Sequence, residues 1–153
     1  MGVMTDEEIY RKHADELVRF ATGLVGPFDA QDVVTDACLR SFRAKEWPRA
    51  RNHRAYLYRS VLNHARSHHR STLRRRLREM KAASPAATWP YEVDVDVLAA
   101  VDRLSVQQRA AVVLTYWEDL SVAEVAQRLQ ISEGSVKRHL ARARSRLREY
   151  LDE

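Results

Sequence analysis

Apolar residues recur at every third or fourth position in three stretches of the first 80 residues, which is the spacing of one face of an α-helix. The first stretch predicts a helix that is capped by Thr5 or Asp6 and ends near Leu24, because Gly26-Pro27 interrupts the pattern. The inward stripe of this helix is predicted to contain Ile9, His13, Leu17, Phe20 and Leu24.

Two more helices are predicted in this half, one from Asp29 to about Lys45 and one from about His53 towards Met80. Pro48 disfavours helical backbone at Trp47, so residues 45–52 are predicted to form a loop. The inward faces are predicted to contain Val33, Val34, Ala37, Cys38 and Phe42 in the second helix, and Ala55, Leu57, Tyr58, Val61, Leu62 and Ala65 in the third.

Residues 81–94 show little periodicity and contain two X-Pro pairs, so a flexible linker is expected between a domain at 1–80 and a domain at 95–153. The second domain is predicted to begin with a short helix. Capping boxes at Ser105 and Ser121 predict the starts of the next two helices. The inward residues of these three helices are predicted to be Val97, Val101 and Leu104, then Val112, Val113, Tyr116 and Trp117, then Val122, Val125, Ala126 and Leu129.

The last two helices are joined by a tight turn at residues 130–132, in the pattern of a helix-turn-helix motif. Ser132 is predicted to cap the final helix. Its inward stripe is Val136, Leu140, Ala143, Leu147 and Leu151, and its opposite face contains Ser135, Arg138, Arg142 and Arg146. An exposed basic face of this kind suits the major groove of DNA. An ordinary helical hairpin with a solvated arginine face is the alternative.

The composition excludes several classes of protein and of site. Cys38 is the only cysteine, so an intramolecular disulfide and a cysteine zinc cage are excluded. No apolar run approaches the roughly 18 residues of a membrane-spanning helix, and the acidic start is unlike a secretory signal. No phosphate loop or nucleophile–base pattern is present, so we expect no enzyme or cofactor site. His64 and His68 are spaced like a pair of metal ligands, but no third ligand is evident, so we expect no metal site. The expectation is an all-α cytoplasmic protein without membrane insertion.

The net charge of +5 conceals an alternation of sign along the chain. Residues 1–39 have a net charge of −5 and residues 40–81 of +12. Residues 82–132 have −4, residues 133–148 have +5, and the last five have −3. Two separate basic blocks indicate contact with a polyanion at two points, while the acidic blocks are better suited to contact protein.

Both halves resemble an extracytoplasmic-function sigma factor, a specificity subunit of bacterial RNA polymerase. Residues 29–42, DAQDVVTDACLRSF, and 54–65, RAYLYRSVLNHA, resemble two helices of the family's sigma-2 domain. Three segments resemble the helix-turn-helix sigma-4 domain: 104–109, LSVQQR, 124–129, EVAQRL, and 134–148, GSVKRHLARARSRLR. The resemblance implies two small helical domains joined by a flexible linker.

The resemblance also implies the function and the partners. A member of this family binds core RNA polymerase through the β′ clamp helices and the β flap, and directs it to promoter DNA with −10 and −35 elements. An anti-sigma factor is a possible further partner. By resemblance, the polymerase contacts are Asp32, Thr35, Asp36 and Arg40, and the −35 contacts are Glu133, Ser135, Lys137, Arg138 and Arg142.

The −10 element has to be opened, and an unstacked strand is held by cationic grooves and aromatic platforms. The loop at 45–52 and the third helix contain both kinds of residue, and the resemblance places a flipped base in a pocket formed by that loop. The candidate contacts are Trp47, Arg49, Arg51, Arg54, Tyr56, Arg59, Asn63, Arg66 and Arg70. Tyr58 is a further aromatic candidate. For Trp47 and Tyr58, a place in the hydrophobic core is an equally open alternative.

Two other classes of protein remain open. A helix-turn-helix repressor or activator that dimerises through its N-terminal half would bind DNA without core polymerase. An interaction protein that regulates another sigma factor would not bind DNA, and the +12 block argues against it.

Overall fold

The described part of the chain is built from helices and turns. The computed structural model describes residues 3–82, 100–101 and 103–152, with the side chains of 69–82 left out. The elements are α1 (Asp6–Val25), α2 (Ala30–Arg43), a 3-10 turn (Trp47–Arg49), α3 (His53–Ala82), α4 (Val106–Val112), a π-helical turn (Val113–Trp117), α5 (Val122–Leu129) and α6 (Glu133–Leu151). No strand occurs within these ranges, so the all-α prediction is confirmed.

The start and the end of α1 follow the sequence signals. Thr5 Oγ1 accepts a hydrogen bond from the Glu8 amide at 3.2 Å, and Glu8 Oε2 accepts one from the Thr5 amide at 2.7 Å. Gly26 ends the helix at a φ of 92°, which a side-chain-bearing residue rarely adopts. The predicted stripe is buried except for His13, which is half-buried. It packs against α2 and α3 to complete the N-terminal unit, α1–α3.

The predicted loop at residues 45–52 contains a 3-10 turn that begins at Trp47, so the expectation of non-helical backbone there is wrong. Pro48 lies in the first turn, where its missing amide hydrogen is not needed. Burial of Trp47 stabilises the turn, since its ring packs edge-on against Phe42 and Tyr56. The indole Nε1 donates a hydrogen bond to Asp6 Oδ1 at 2.8 Å.

The C-terminal unit, α4–α6, begins its first two helices at the predicted capping boxes. Ser105 and Gln108 exchange hydrogen bonds of 3.1 Å in each direction, and Ser121 and Glu124 form the same pair at 3.1 and 3.2 Å. Gln130, at a φ of 57°, ends α5, and Ser132 accepts a hydrogen bond from the Ser135 amide at 3.1 Å to start α6. The predicted helix-turn-helix is therefore present.

Two predicted core residues are exposed instead. Tyr116 is 58% exposed, because the wider π-helical turn rotates it away from the buried face. Leu151 is 73% exposed in the last turn of α6, beyond the end of the core. Half-buried positions among the predicted core are Phe42, Leu62, Trp117, Val122 and Leu147. Val97 and residues 83–94 of the expected linker lie outside the described residues, and residues 81–82 continue α3.

One hydrophobic core runs through both units. At Gly23, α1 approaches the π-helical turn so closely that an added Cβ would lie 2.6 Å from Val113 Cγ2. Arg109 of α4 is 3% exposed, and its guanidinium donates to the Leu24 carbonyl and, at 3.1 Å, to the Leu104 carbonyl. The last turn of α1 has no basic residue of its own. Arg109 therefore supplies the cation that a helix C-terminus favours.

We expect Arg109→Met to lower the free energy of unfolding by about 3 kcal/mol, since it removes the hydrogen bonds from a charged donor to three buried carbonyl groups. Urea denaturation followed by far-UV circular dichroism measures this. Arg144→Ala, at an exposed position of α6, is the control and should change stability by no more than about 0.5 kcal/mol. Similar losses in the two variants would contradict the role of Arg109.

Candidate nucleic-acid interface

A cavity of about 610 Å³ lies between the loop after the 3-10 turn, the first half of α3 and the turn that follows α5. It is lined by Ala50, Arg51, Asn52, Tyr56, Arg59, Ser60, Asn63 and Gln130. Arg51 and Arg59 are exposed, so the cavity combines free cations with amide groups and one aromatic ring. This chemistry suits a nucleobase that is attached to a phosphate backbone.

Tyr56 stands between this cavity and a second one of about 770 Å³, which Lys45, Glu46, Arg49 and Ala50 also line. The structure therefore brings five predicted residues into one surface: Arg49, Arg51, Tyr56, Arg59 and Asn63. Arg66 is exposed further along α3, and the side chain of Arg70 lies outside those described.

Two aromatic candidates lie behind this surface rather than on it. Trp47 is 3% exposed, and its ring centroid is 5.3 Å from that of Tyr56. The ring of Trp47 therefore occupies the hydrophobic core, which was one of the two alternatives for it, and it packs beneath Tyr56. Tyr58 is 1% exposed, and burial raises the pKa of its hydroxyl.

Arg54 forms an ion pair within the protein. Its Nε and Nη2 atoms donate to the two carboxylate oxygens of Glu16, at 2.5 and 2.9 Å. Burial by itself would raise the pKa of Glu16, but the hydrogen bonds and charge of Arg54 outweigh it and lower the pKa below its usual value. Arg54 therefore joins α3 to α1. Because 41% of its side chain is exposed, its role as a DNA contact stays a prediction.

The last helix, α6, has an exposed basic face on which Arg138 is held by a hydrogen bond. Arg138 Nη2 donates to Ser135 Oγ at 2.9 Å, and the Ser132 and Ser135 hydroxyls are 2.9 Å apart. The side chains of Glu133, Lys137, Arg138 and Arg142 are exposed. His139 lies between the two arginines, and its pKa is lowered by burial and by their charges, so it is neutral at pH 7.

The predicted polymerase contacts share one exposed side of α2. Asp32, Asp36 and Arg40 are four residues apart in succession, and Thr35 accepts a hydrogen bond from Gln31 at 3.3 Å. Leu39 beside them is 47% exposed. A surface of mixed charge with an exposed leucine suits contact with protein.

Three observations concern other kinds of site. Burial raises the pKa of Cys38 to about 11, as expected for a core thiol. Among the described residues, no three metal-binding side chains cluster together. None of the helices in the described ranges has the length and apolar character needed to cross a bilayer.

The contacts between the two units were not foreseen from the sequence. Arg128 Nη1 of α5 donates to the Tyr58 hydroxyl at 3.3 Å and lies 3.7 Å from Glu16 Oε1. Arg19 of α1 donates to Glu118 at 3.0 Å. Of these residues, only Arg109 could have been anticipated from the sequence, because it occupies an inward-facing helical position, three residues after Val106 and one before Ala110.

Comparison with known proteins identifies the family. Residues 9–76 match the model for Sigma-70 region 2, and residues 94–147 match the model for Sigma-70, region 4. The chain belongs to the sigma-70 family. This confirms the resemblance, and the class of function is transcription initiation.

Relatives of this sigma factor cover almost its whole length. The RNA polymerase sigma-E factor of Streptomyces antibioticus is 35% identical over 160 residues, covering 98% of this chain and 86% of the relative. The ECF RNA polymerase sigma factor SigM of Mycobacterium tuberculosis is 33% identical over 146 residues, covering 92% of this chain and 74% of the relative.

Two solved structures share the fold. CnrH, in complex with the cytosolic domain of CnrY, matches with a TM-score of 0.65 and 24% identity, over 96% of this chain and 87% of that chain. The sigma factor RpoE of Bartonella quintana, in complex with the anti-sigma factor NepR, matches with a TM-score of 0.60 and 23% identity, over 95% and 96%.

We expect Glu16→Gln to lower the free energy of unfolding of this sigma factor at neutral pH by about 2 kcal/mol, because charged hydrogen bonds are lost. Because the pKa of Glu16 is lowered on folding, its stabilisation is present above pH 4.5 and is lost as the pH falls through the folded value. The unfolding midpoint in urea, measured from neutral pH to below pH 4.5, should therefore fall less steeply in the variant. The exposed Glu7→Gln should follow the wild type; equal acid slopes for wild type and Glu16→Gln would refute the assignment.

Proposed function

We propose that this chain binds core RNA polymerase and directs it to promoters by reading −10 and −35 elements with separate surfaces. The observation that carries the proposal is the presence of two surfaces suited to DNA, one on each unit. They are the cavity around Tyr56 and the basic face of α6. The sigma-2-like domain is proposed to span 1–80, with a linker at 81–94 and the sigma-4-like domain at 95–153.

The −35 element is proposed to lie against α6. Guanidinium groups suit guanine edges and phosphates, and Arg138 is already held by Ser135. Arg142 follows one turn later on the same side. The proposed contacts are Glu133, Ser135, Lys137, Arg138 and Arg142.

The −10 element is proposed to be held open at the cavity beside the 3-10 turn. A base stacked on Tyr56 would contribute roughly 1–3 kcal/mol, and Asn63 offers hydrogen bonds to a base edge. The phosphates would be met by Arg49, Arg51, Arg59, Arg66 and Arg70. Trp47 is proposed to position Tyr56, and Arg54 to fix α3 against α1.

Core polymerase is proposed to dock on the α2 surface of Asp32, Thr35, Asp36 and Arg40. The β′ clamp helices are the partner proposed there, and the β flap is the partner proposed for the C-terminal unit. An anti-sigma factor is a further proposed partner, given the fold shared with RpoE of Bartonella quintana, which was solved with NepR. The proposed activity is binding without catalysis, and it places the chain in the cytoplasm, where these partners are found.

Transcription in vitro with and without core polymerase, followed by sequencing of the start sites, tests the function. Defined start sites that require both proteins are the expected result. Specific DNA binding by the chain alone, without any effect on core polymerase, would instead indicate a helix-turn-helix repressor or activator.

We expect the double variant Arg138→Ala, Arg142→Ala to lower transcription from a mapped promoter by about 10- to 100-fold, as two base or phosphate contacts are lost. Core polymerase binding, measured by fluorescence anisotropy, should be unchanged. The control Arg11→Ala, Lys12→Ala removes the same charge from an exposed part of α1 and should transcribe normally. Equal loss of transcription and polymerase binding would contradict the assignment of DNA binding, and not polymerase binding, to this face of α6.

We expect Asp32→Lys combined with Asp36→Lys to weaken core polymerase binding by about tenfold, because opposed charge patterns would no longer match. The control Glu7→Lys, Asp15→Lys makes the same charge change on an exposed part of α1. If both double variants bind core polymerase equally well, the α2 surface is not the docking site.

A further inference from the structure

A hydrogen bond joins the 3-10 turn to the start of α1, between residues that are 41 positions apart in the sequence. Trp47 Nε1 donates to Asp6 Oδ1 at 2.8 Å, a distance typical of a hydrogen bond to a charged acceptor. Trp47 is 3% exposed, whereas Asp6 is exposed in the first turn of α1. The carboxylate therefore holds the edge of a buried indole ring from the protein surface.

The indole ring lies at the centre of an aromatic cluster beneath the candidate −10 surface. Its centroid is 5.1 Å from that of Phe42, 4.3 Å from that of His53 and 5.3 Å from that of Tyr56. The Trp47 carbonyl also accepts a hydrogen bond from His53 Nε2 at 3.1 Å. Because these rings are closely packed, a rotation of the indole would displace Tyr56, on which a base is proposed to stack.

The position of the loop that lines the two cavities depends on the same turn. Arg49 ends the 3-10 turn, and residues 50–52 lead from it to α3. Asn52 Oδ1 accepts a hydrogen bond from the Ala55 amide at 3.0 Å, which fixes the far end of this loop. The near end is a turn of three residues, and such a short turn has little stability of its own. Burial of Trp47 and its hydrogen bond to Asp6 therefore determine where the loop lies.

We propose that Asp6 is a positioning residue for promoter opening, which acts through Trp47 to hold Tyr56 and the loop at 49–52 ready to capture an unstacked base. The inference rests on the proposed function, because it uses the assignment of the Tyr56 cavity to the −10 strand. Asp6 lines neither of the two cavities, so its effect on the strand is indirect. A site whose side chains are already held in place binds more tightly, because fewer groups have to be ordered on binding.

This role is confined to one step of initiation. Docking on core polymerase and reading of the −35 duplex are proposed to use α2 and α6, which are separate from the 3-10 turn. An unstacked base is captured only when the duplex opens, so loss of the hydrogen bond should slow opening. A template with mismatched bases over the −10 element is open in advance, and opening no longer limits transcription from it at saturating holoenzyme.

Four variants separate the hydrogen bond from its surroundings. Asp6→Ala removes the acceptor, and Trp47→Phe removes the donor while it keeps an aromatic ring in the cluster. Because both remove the same interaction, the double variant should be no slower than the slower single variant. Asp6→Asn keeps an Oδ1 acceptor and should retain most of the opening rate. The matched control is Glu7→Ala, which removes an exposed carboxylate from the same turn of α1.

The rate of opening is measured with holoenzyme made from the full chain and core polymerase. The probe is 2-aminopurine fluorescence from the non-template −10 strand of a promoter that start-site sequencing has mapped. We expect Asp6→Ala and Trp47→Phe to slow opening by about fivefold, as for a base that stacks less well on Tyr56. Asp6→Asn and Glu7→Ala should stay within about twofold of the wild type. Tyr56→Ala should be at least as slow as Asp6→Ala, since it removes the stacking platform.

The mismatched template provides the readout that a loss of stability would not reproduce. All variants of the hydrogen bond should transcribe from it at the wild-type rate. Equal losses on the duplex and on the mismatched template would overturn the inference and assign the effect to stability or to polymerase binding. If Trp47→Phe fails to fold, the comparison of Asp6→Ala with Asp6→Asn decides alone, since Asp6 is exposed.

Further results distinguish failure of the inference from failure of the proposed function. Normal opening by Asp6→Ala together with slow opening by Tyr56→Ala refutes the inference alone. Fully additive losses in the double variant show that Asp6 and Trp47 act separately, which also refutes it. Normal opening by Tyr56→Ala removes the proposed −10 site, and the inference with it. If no start site can be mapped with core polymerase, the proposed function as a whole fails.

Discussion

The buried guanidinium of Arg109 is the interaction on which the arrangement of the two units depends. A charged side chain at 3% exposure is costly unless its donors are used. Here they meet the carbonyl groups of Leu24, Val101 and Leu104. Two of these acceptors lie just before α4, and the third is at the end of α1. Removing either unit would break the hydrogen bond between Arg109 and the Leu24 carbonyl.

Around this arginine, small and polar residues determine how closely the units approach. Gly23 permits contact between α1 and the π-helical turn, and a bulkier residue would hold the helices apart. Arg128 then reaches Tyr58 and Glu16 at the far side of the boundary. The same boundary contributes Gln130 to the candidate DNA cavity. The packing of the two units therefore also determines access to the cavity.

Local signals in the sequence predicted the local structure well. Capping boxes at Ser105 and Ser121 and the cap candidate Thr5 marked the starts of helices, because each satisfies amide groups within four residues of the chain. Tyr116 was placed wrongly because helical periodicity assumes 3.6 residues per turn, and the π-helical turn departs from that spacing. For Trp47 the choice between core and surface stayed open, because periodicity gives no orientation inside a loop.

Contacts between units could not be predicted in the same way. Arg19 and Glu118 are 99 positions apart, and Arg128 and Tyr58 are 70 apart. No spacing rule connects residues at such separations. Of the candidate site, the positions on α2 and the outer face of α6 could be predicted because helical spacing alone exposes them. The salt bridge of Arg54 could not be predicted, because its partner, Glu16, belongs to a different helix.

These internal ion pairs change the meaning of the charge alternation along the chain. The acidic first block is less available to a partner than its net charge indicates, because Glu16 is neutralised by Arg54 and approached by Arg128. In the basic second block, the charge of Arg54 is correspondingly paired with Glu16, although 41% of the Arg54 side chain stays exposed. What remains exposed is more localised, with acids on the outer side of α2 and arginines beside the cavity. Internal pairing therefore leaves the exposed charge concentrated on the surfaces proposed to meet polymerase and DNA. The paired charges hold the units together.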